Sequence, residues 1–423
     1  MSKVITDKKL IAEVLTRGVE KIYPSYSELE KKLLSGQRLR LYCGFDATAP
    51  ALHIGNAFTL GKLAQFQRLG HEVIFLIGDF TSMIGDPTDK KAVRRQRTRQ
   101  EVLLDAKNYQ KQASAYINFK GDNPAQVRYN SEWNDKLDFK DLVHLASNFT
   151  VQQMIQRDMF QERLAEEKPI YLHEFLYPLT QGYDSVAMDV DLEIGGNDQM
   201  FNMLCGRDLL KAMKNKEKSV MTLKLLADDQ GKKMGKSEGN VVFLNEKPND
   251  MYGKIMSWPD GVITLAFELG TTVPLAEIKK MEESLKWAQV NPRDLKMKLA
   301  YEITKINHGE ATAKAAQNNF VSTIQKKELP EEIETIFSDA LYFPVGSKGK
   351  KVAKHKFSFV ELLDDLVRRE MFTSKSEAKR LINEGGVKIN GAVLKDINKE
   401  LEIDGKGLVI QRGKKAFLKI IQK

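Results

Sequence analysis

Between residues 38 and 242 the chain alternates short apolar runs with longer stretches of helical periodicity, and that alternation admits few folds. Leu39–Phe45 reads as a strand and Ile54–Leu69 as a helix closed by Gly70. His71–Gly78 (HEVIFLIG) reads as a buried strand, with shorter ones at Val127–Tyr129, Asp191–Ile194 and Val220–Leu226. Strands separated by helices build a parallel sheet, so the expected class is α/β. Lys136–Glu167 is long, helical and rich in Met, Gln and Phe, as if inserted between two strands.

At 423 residues the chain is too long for one hydrophobic core, and further domains are expected. Asn249–Gln325 is mostly helical, with apolar stripes such as Met297, Leu299, Ile303 and Ile306. Phe343–Lys356 (FPVGSKGKKVAKHK) is rich in Gly and Lys and reads as a linker. A compact α+β unit is expected after it. The boundaries so drawn are 1–242, 243–342, a linker at 343–356, and 357–423.

Charge and cysteine content narrow the function. The net charge is +9, and from Lys348 onward 19 Lys and Arg face 10 Asp and Glu, so the whole excess lies there. A basic module on a neutral body points to a polyanion, nucleic acid first. No apolar run approaches the roughly 20 residues that span a bilayer. The N-terminal segment mixes Lys with Asp7, Glu13 and Glu20, and reads as neither a signal nor a transit peptide. Two cysteines, Cys43 and Cys205, form no C-x-x-C, which argues against a zinc ribbon or disulfide framework and suits a reducing cytoplasm.

Two constellations carry chemistry. The first is Tyr42-Cys-Gly-Phe-Asp-Ala-Thr-Ala-Pro-Ala-Leu-His-Ile-Gly-Asn56, a strand end, a turn and a helix start. It falls at the carboxyl edge of a parallel sheet, where such folds bind ligands. Gly44 allows close backbone approach, His53 and Asn56 share one side of the helix start, and the helix N-terminus favours phosphate. Alone, this is as often an ordinary strand–turn–helix junction. The second is Gly231-Lys-Lys-Met-Gly-Lys-Ser237 on a polar loop after a strand. Two lysines and a hydroxyl can neutralise charge moving to a polyphosphate leaving group, although the P-loop spacing is absent. Alone, it is more often a solvated basic loop.

Together and in this order, the two resemble the signatures of class I aminoacyl-tRNA synthetases. Ile84-Gly-Asp-Pro87, Tyr177-Pro-Leu-Thr-Gln-Gly-Tyr-Asp184 and Ile194-Gly-Gly-Asn-Asp-Gln199 narrow the resemblance to bacterial-type tyrosyl-tRNA synthetases, over nearly the whole chain. Two positions depart from the family: Asn56 stands where the first signature ends in His, and Met234-Gly235 fills the middle of the second.

The resemblance implies a Rossmann-like catalytic domain, an all-α anticodon-side domain and an S4-like RNA-binding domain. It implies ATP as substrate, magnesium on the ATP phosphates, tRNA(Tyr) as partner, no structural metal, and a homodimer formed through the 136–167 insertion. Residue by residue, Tyr42 and Asp184 match the pair that hydrogen-bonds the substrate phenol. Asp86, Tyr177 and Gln181 match the holders of its ammonium, and Gln199 lies near the reacting carboxylate. Gly44, Asp46, Gly55, Asn56, Gly196 and Asp198 match the ATP side. Thr48 and His53, with Lys233, Lys236 and Ser237 on a mobile loop at 231–240, match groups that bind the departing pyrophosphate.

The C-terminal segment fits the same picture. Phe359–Arg369 is an amphipathic helix, and Ser374-Lys-Ser-Glu377 reads as a capping box opening a helix over Lys375–Glu384. Asn390-Gly391 between Val387–Ile389 and Ala392–Leu394 signals a hairpin. Arg368, Arg369, Lys375, Lys379, Arg380 and Lys388 cluster around the second helix as candidate RNA contacts. The competing expectations are tryptophanyl-tRNA synthetase, a shorter adenylyltransferase, and a synthetase-derived RNA-binding protein that has lost catalysis.

Overall fold

The structure, a computed structural model, describes residues 3–87, 97–227, 241–325, 333–343, 350–351, 356–405, 407–413 and 416–422. The chain divides into two compact units, Met1–Lys314 and Ala315–Lys423.

The first unit is built on a six-stranded sheet: β1 (Val19–Tyr23), β2 (Arg40–Asp46), β3 (Glu72–Gly78), β4 (Gln126–Tyr129), β5 (Leu192–Gly196) and β6 (Ser219–Leu223). Their order across the sheet is β1-β6-β5-β2-β3-β4. The pairs from β6 to β4 are all parallel, and β1 closes one edge antiparallel to β6. The five parallel strands lie where the sequence places them. In β3, Val73 through Ile77 are all buried, and burial of each such side chain contributes about 1.5–3 kcal/mol. The continuous apolar run is the mark of a strand covered on both faces. The strand order reverses between β2 and β5: the chain runs outward one way through β3 and β4, then returns to build β5 and β6 on the other side. That reversal opens a crevice at the carboxyl ends of β2 and β5.

The helix Ile54–Arg68 leads from β2 to β3, and the helix Leu172–Met188 packs along Met200–Lys214 beside β5 and β6. Four short helices, Ser131–Asn134, Phe139–Ala146, Val151–Ile155 and Asp158–Ala165, fill the stretch between β4 and the long helix. The helices from Pro248 to His308 belong to the same unit as the sheet. Arg17, 4% exposed, donates to the carbonyls of Phe267, Glu268, Thr271 and Val273 and ties them to the N-terminal segment.

The second unit holds a five-stranded sheet in the order Ala392–Val393, Val387–Ile389, Leu408–Arg412, Ala416–Ile421, Glu334–Phe337. Its helices are Phe359–Arg368 and Lys375–Asn383. The expected hairpin is present, with Asn390 at φ 47° and Gly391 at φ 83°, the conformations a two-residue turn of this kind needs. The expected capping box forms differently. Ser374 Oγ accepts from the Glu377 N–H at 3.1 Å, but the Glu377 carboxylate reaches back to Thr373 instead of Ser374.

The units differ from the expected boundaries. The 243–342 segment is not one helical domain, because Glu334–Phe337 pairs in parallel with Ala416–Ile421. Ile336 and Leu341 lie in the same core as Phe359, Leu363 and Ile410. Nor is 343–356 wholly a linker: 342–343 pairs antiparallel with 350–351, and Lys356–Ser358 pairs with Glu400–Glu402.

Candidate active site

The crevice gathers residues from three strand ends and one helix. Tyr42 lies within β2, Asp46 ends it, and Asp86 follows β3. Gly196 ends β5, and Asp198 and Gln199 form the turn after it. Tyr177, Gln181 and Asp184 are spaced four and three apart on the helix Leu172–Met188, which sets them on one face.

At the deep end, Tyr42 is fully buried among Ile74, Leu76, Trp133, Met188 and Val190. Its hydroxyl is 2.9 Å from Ser185 Oγ. Asp184 accepts from Trp133 Nε1 at 2.7 Å and from Asn134 and Asn130 at 3.3 Å each. Burial pushes the Asp184 carboxyl well above the usual range, against those three bonds. The Tyr42 phenol is pushed up by burial, then by the nearby charges of Glu193 and Asp184. A hydroxyl and a carboxyl group thus lie buried near one another at this end, the carboxyl held by three donors.

Toward the opening, Tyr177 donates to Asp46 Oδ2 at 2.9 Å, and Thr81 donates to Asp46 Oδ1 at 2.6 Å. Gly78 makes this possible, since a Cβ there would come within 2.1 Å of Asp46 Oδ1. Gln199 Nε2 donates to Asp86 Oδ2 at 2.7 Å. Asn202, fully buried, donates at 3.0 Å to both Gln199 Oε1 and Gln181 Oε1. Gln181 Nε2 in turn donates to Glu193 Oε1 at 3.2 Å. Burial raises Asp46 to about 7, with Asp86 adding to the shift and the Thr81 and Tyr177 bonds opposing it.

On the side where β2 leads into the helix Ile54–Arg68, His53 caps that helix. Its Nδ1 accepts from the Asn56 N–H at 3.3 Å, while Asn56 Oδ1 accepts from the His53 N–H at 3.0 Å. Asn56 therefore does a capping job that its place in the signature did not reveal. With Nδ1 accepting, the imidazole proton sits on Nε2. Thr48 is exposed on the turn before it, and Asp198 is exposed after β5. Gly44 is exposed, and a Cβ there would meet only Leu76 at 3.8 Å. Packing therefore does not require glycine at that point. At Gly55 a Cβ would press on His53 at 3.0 Å, and at Gly196 it would strike Asp198 Oδ1 at 2.6 Å. Lys233, Lys236 and Ser237 lie outside the described residues.

In the second unit, Lys379 is exposed and Lys388 half-buried. Lys375 pairs with Asp364 at 2.6 Å and Arg380 with Glu384 at 2.9 Å, both at the surface. Arg368 is exposed with its guanidinium over Tyr342. Arg369 is held inward by the buried Asp365 at 2.6 Å and the Ala340 carbonyl at 3.1 Å.

The sequence did not single out Ser185, Glu193, Asn202, Lys218 or Trp133. The available signal was a charged residue near the start of β5 and another immediately before β6, both buried.

Comparison with known proteins accords with this geometry. Residues 34–325 match the family described as tRNA synthetases class I (W and Y), and residues 346–420 match the tyrosine–tRNA ligase SYY-like C-terminal domain. The tyrosine–tRNA ligase of Thermotoga maritima is 42% identical over 409 residues, covering 96% of each chain. That of Carboxydothermus hydrogenoformans is 42% identical over 431 residues, covering 99% of each. Among solved structures, a C-terminally truncated mitochondrial tyrosyl-tRNA synthetase of Coccidioides posadasii superposes with a TM-score of 0.60 at 25% identity. It covers 73% of this chain and 91% of its own. The Archaeoglobus fulgidus tyrosyl-tRNA synthetase complexed with L-tyrosine shares the fold at a TM-score of 0.58 and 21% identity, covering 74% of this chain and 100% of its own. With relatives this similar along its whole length, the chain belongs to the tyrosine–tRNA ligase family of class I tRNA synthetases.

Proposed function

We propose that this chain activates L-tyrosine with ATP and transfers it to the terminal ribose of tRNA(Tyr). One observation carries the reading: a continuous hydrogen-bonded path joins Asp86, Gln199, Asn202, Gln181, Glu193, Lys218, Ser185 and Tyr42 around the crevice. The phenol-facing pair Tyr42 and Asp184 closes its deep end. A ligand with a hydroxyl at one end and an ammonium at the other is the shape these groups complement.

The chemistry needs no protein nucleophile. The tyrosine carboxylate attacks the α-phosphorus of ATP, giving tyrosyl-adenylate and pyrophosphate, and catalysis is positioning plus stabilisation of the moving charge. Asp86, Tyr177 and Gln181 hold the ammonium, and Gln199 sits beside the carboxylate. Gly44, Asp46, Gly55, Asn56, Gly196 and Asp198 border the nucleotide. Thr48 and His53 take the phosphates, with Lys233, Lys236 and Ser237 assigned to pyrophosphate by their motif. Magnesium enters with the phosphates. Among the described residues no group of three or more His, Cys, Asp or Glu is placed to hold a metal.

The 136–167 insertion exposes Phe139 (79%) and Val151 (69%), which supports a homodimer through that insertion. No helix among the described residues is long and apolar enough to cross a membrane. The two cysteines are buried free thiols, which suits the cytoplasm.

The direct test is amino-acid-dependent exchange of pyrophosphate into ATP. Exchange with tyrosine, and not with tryptophan or phenylalanine, is expected. Absence of exchange would favour the RNA-binding alternative.

Asp46 adds a pH dependence. Its carboxyl titrates near 7 in the folded protein against an ordinary 3.8. The folded state therefore holds more protons than the unfolded one between about pH 4 and 7, and this group's contribution to stability falls as pH rises through that window. A substrate ammonium beside Asp86 and Tyr177 favours the ionised form. Tyrosine binding should release up to one proton near pH 6–7 and tighten by several-fold from pH 6 to 8. Calorimetric titrations in two buffers of different ionisation enthalpy measure the release directly; a heat independent of buffer would remove Asp46 from this role.

A further inference from the structure

Behind the phenol end of the crevice lies a buried ion pair, Lys218 with Glu193, side chains 0% and 3% exposed. Lys218 Nζ donates to Glu193 Oε2, to Ser185 Oγ at 2.8 Å and to the Met203 carbonyl at 3.0 Å. Its three N–H bonds are all used, and an ammonium can only donate. Ser185 Oγ must therefore accept from Lys218. Its own single proton has two destinations: Tyr42 Oη at 2.9 Å or Glu193 Oε2 at 3.3 Å. The first is within normal O–H···O range and the second beyond it, and Glu193 Oε2 already serves Lys218.

Ser185 thus donates to Tyr42, and the Tyr42 proton is left for an incoming phenol, with the nearby Glu193 carboxylate as the competing acceptor. A phenol entering there receives that proton on its oxygen and gives its own to Asp184, so every group is paired. In the opposite sense, with Tyr42 donating back to Ser185, the incoming phenol would face two acceptors with one proton.

The carboxylate of the pair does the matching job at the other end. Glu193 Oε1 can only accept, so the Gln181 amide must turn its NH2 toward Glu193. Its carbonyl oxygen is then directed to Asn202 and the ammonium side.

We infer that the Lys218–Glu193 pair is a positioning device that fixes the proton direction of Tyr42 through Ser185 and the amide orientation of Gln181, and so sets the preference for a hydroxylated ring. The inference rests on the placement of tyrosine proposed above.

A purely structural ion pair would affect folding but not discrimination. The test is therefore the ratio of kcat/KM for tyrosine over phenylalanine in pyrophosphate exchange, alongside the KM for ATP and a thermal melt. The double variant Lys218→Met, Glu193→Gln removes both charges with little change of shape. The expected result is a cooperative melt, an unchanged KM for ATP, and a tyrosine-to-phenylalanine ratio lowered roughly tenfold, the value of one misdirected buried hydrogen bond. Ser185→Ala leaves the pair intact and cuts only its link to Tyr42. It should lower the ratio similarly, and it decides the matter alone if the double variant does not fold. An unchanged ratio in folded Ser185→Ala overturns the inference. If the unaltered enzyme itself fails to prefer tyrosine, it is the placement of tyrosine that fails.

Discussion

Asp184→Ala should collapse the preference for tyrosine over phenylalanine. Sites built around a substrate hydroxyl reject the analogue lacking it by roughly 10⁴–10⁵-fold, a range for which tyrosyl-tRNA synthetases are themselves the standard example. The rejection arises because phenylalanine leaves buried polar groups without a partner. Asp184 is 2% exposed and close enough to Tyr42 to push its phenol up, so it is such a group. Its removal should bring the ratio down to roughly 10² or less, almost wholly through loss of kcat/KM for tyrosine. The KM for ATP should not move, since no nucleotide contact is assigned to this end. Trp133, Asn130 and Asn134 each lose an acceptor, so the melting temperature should also fall. The exchange assay with both amino acids separates the two effects, because lost stability alone lowers both activities equally. A preserved ratio would mean that the phenol is recognised elsewhere.

How far the sequence carried the fold depended on whether each signal was local. β3 was legible because a strand covered on both faces needs an unbroken apolar run, and VIFLI supplies one. β1 was not, because VEKIY at a sheet edge keeps Glu20 and Lys21 exposed and carries no such run. Glu334–Phe337 was missed for a different reason. Its partner lies more than 80 residues further along the chain, at Leu418–Ile421, and nothing within ETIF specifies that pairing.

The site divides in the same way. The residues assigned to substrate sit in short contiguous motifs and could be named. The groups behind them could not, since Lys and Glu are usually exposed and only the folded sheet puts Lys218 and Glu193 inside it. Arg369 shows the converse: it lies in a basic cluster by sequence, yet Asp365 holds it inward.

Separation of the two units should separate the two half-reactions. The strand Glu334–Phe337 and the side chains of Ile336 and Leu341 belong to the second unit, so a chain ending near Leu341 would carry part of a foreign core. A chain ending at Gln325, where the match to the synthetase body also ends, avoids this. It should fold and make tyrosyl-adenylate at close to the full rate, because every substrate contact assigned above precedes residue 238. It should lose most aminoacylation. From Lys348 onward the full chain carries 19 basic and 10 acidic residues. The surface pairs Lys375–Asp364 and Arg380–Glu384 are exposed, worth at most about 1 kcal/mol each, and can exchange a carboxylate for a phosphate. If the module neutralises six or more phosphates, tRNA affinity should fall by roughly 10³-fold or more between 50 and 200 mM salt. The shortened chain should bind tRNA weakly with a much shallower slope, and adenylate formation in either chain should depend on salt far less. Within the full chain, Lys379→Ala should reduce the salt slope by about one unit. Arg369→Ala should lower the second unit's melting temperature with little change in slope, because its charge is committed to Asp365. Binding measured across a salt series for all four proteins decides the point: equal slopes for the full and shortened chains would leave the C-terminal charge as a solvated face with no part in gripping tRNA.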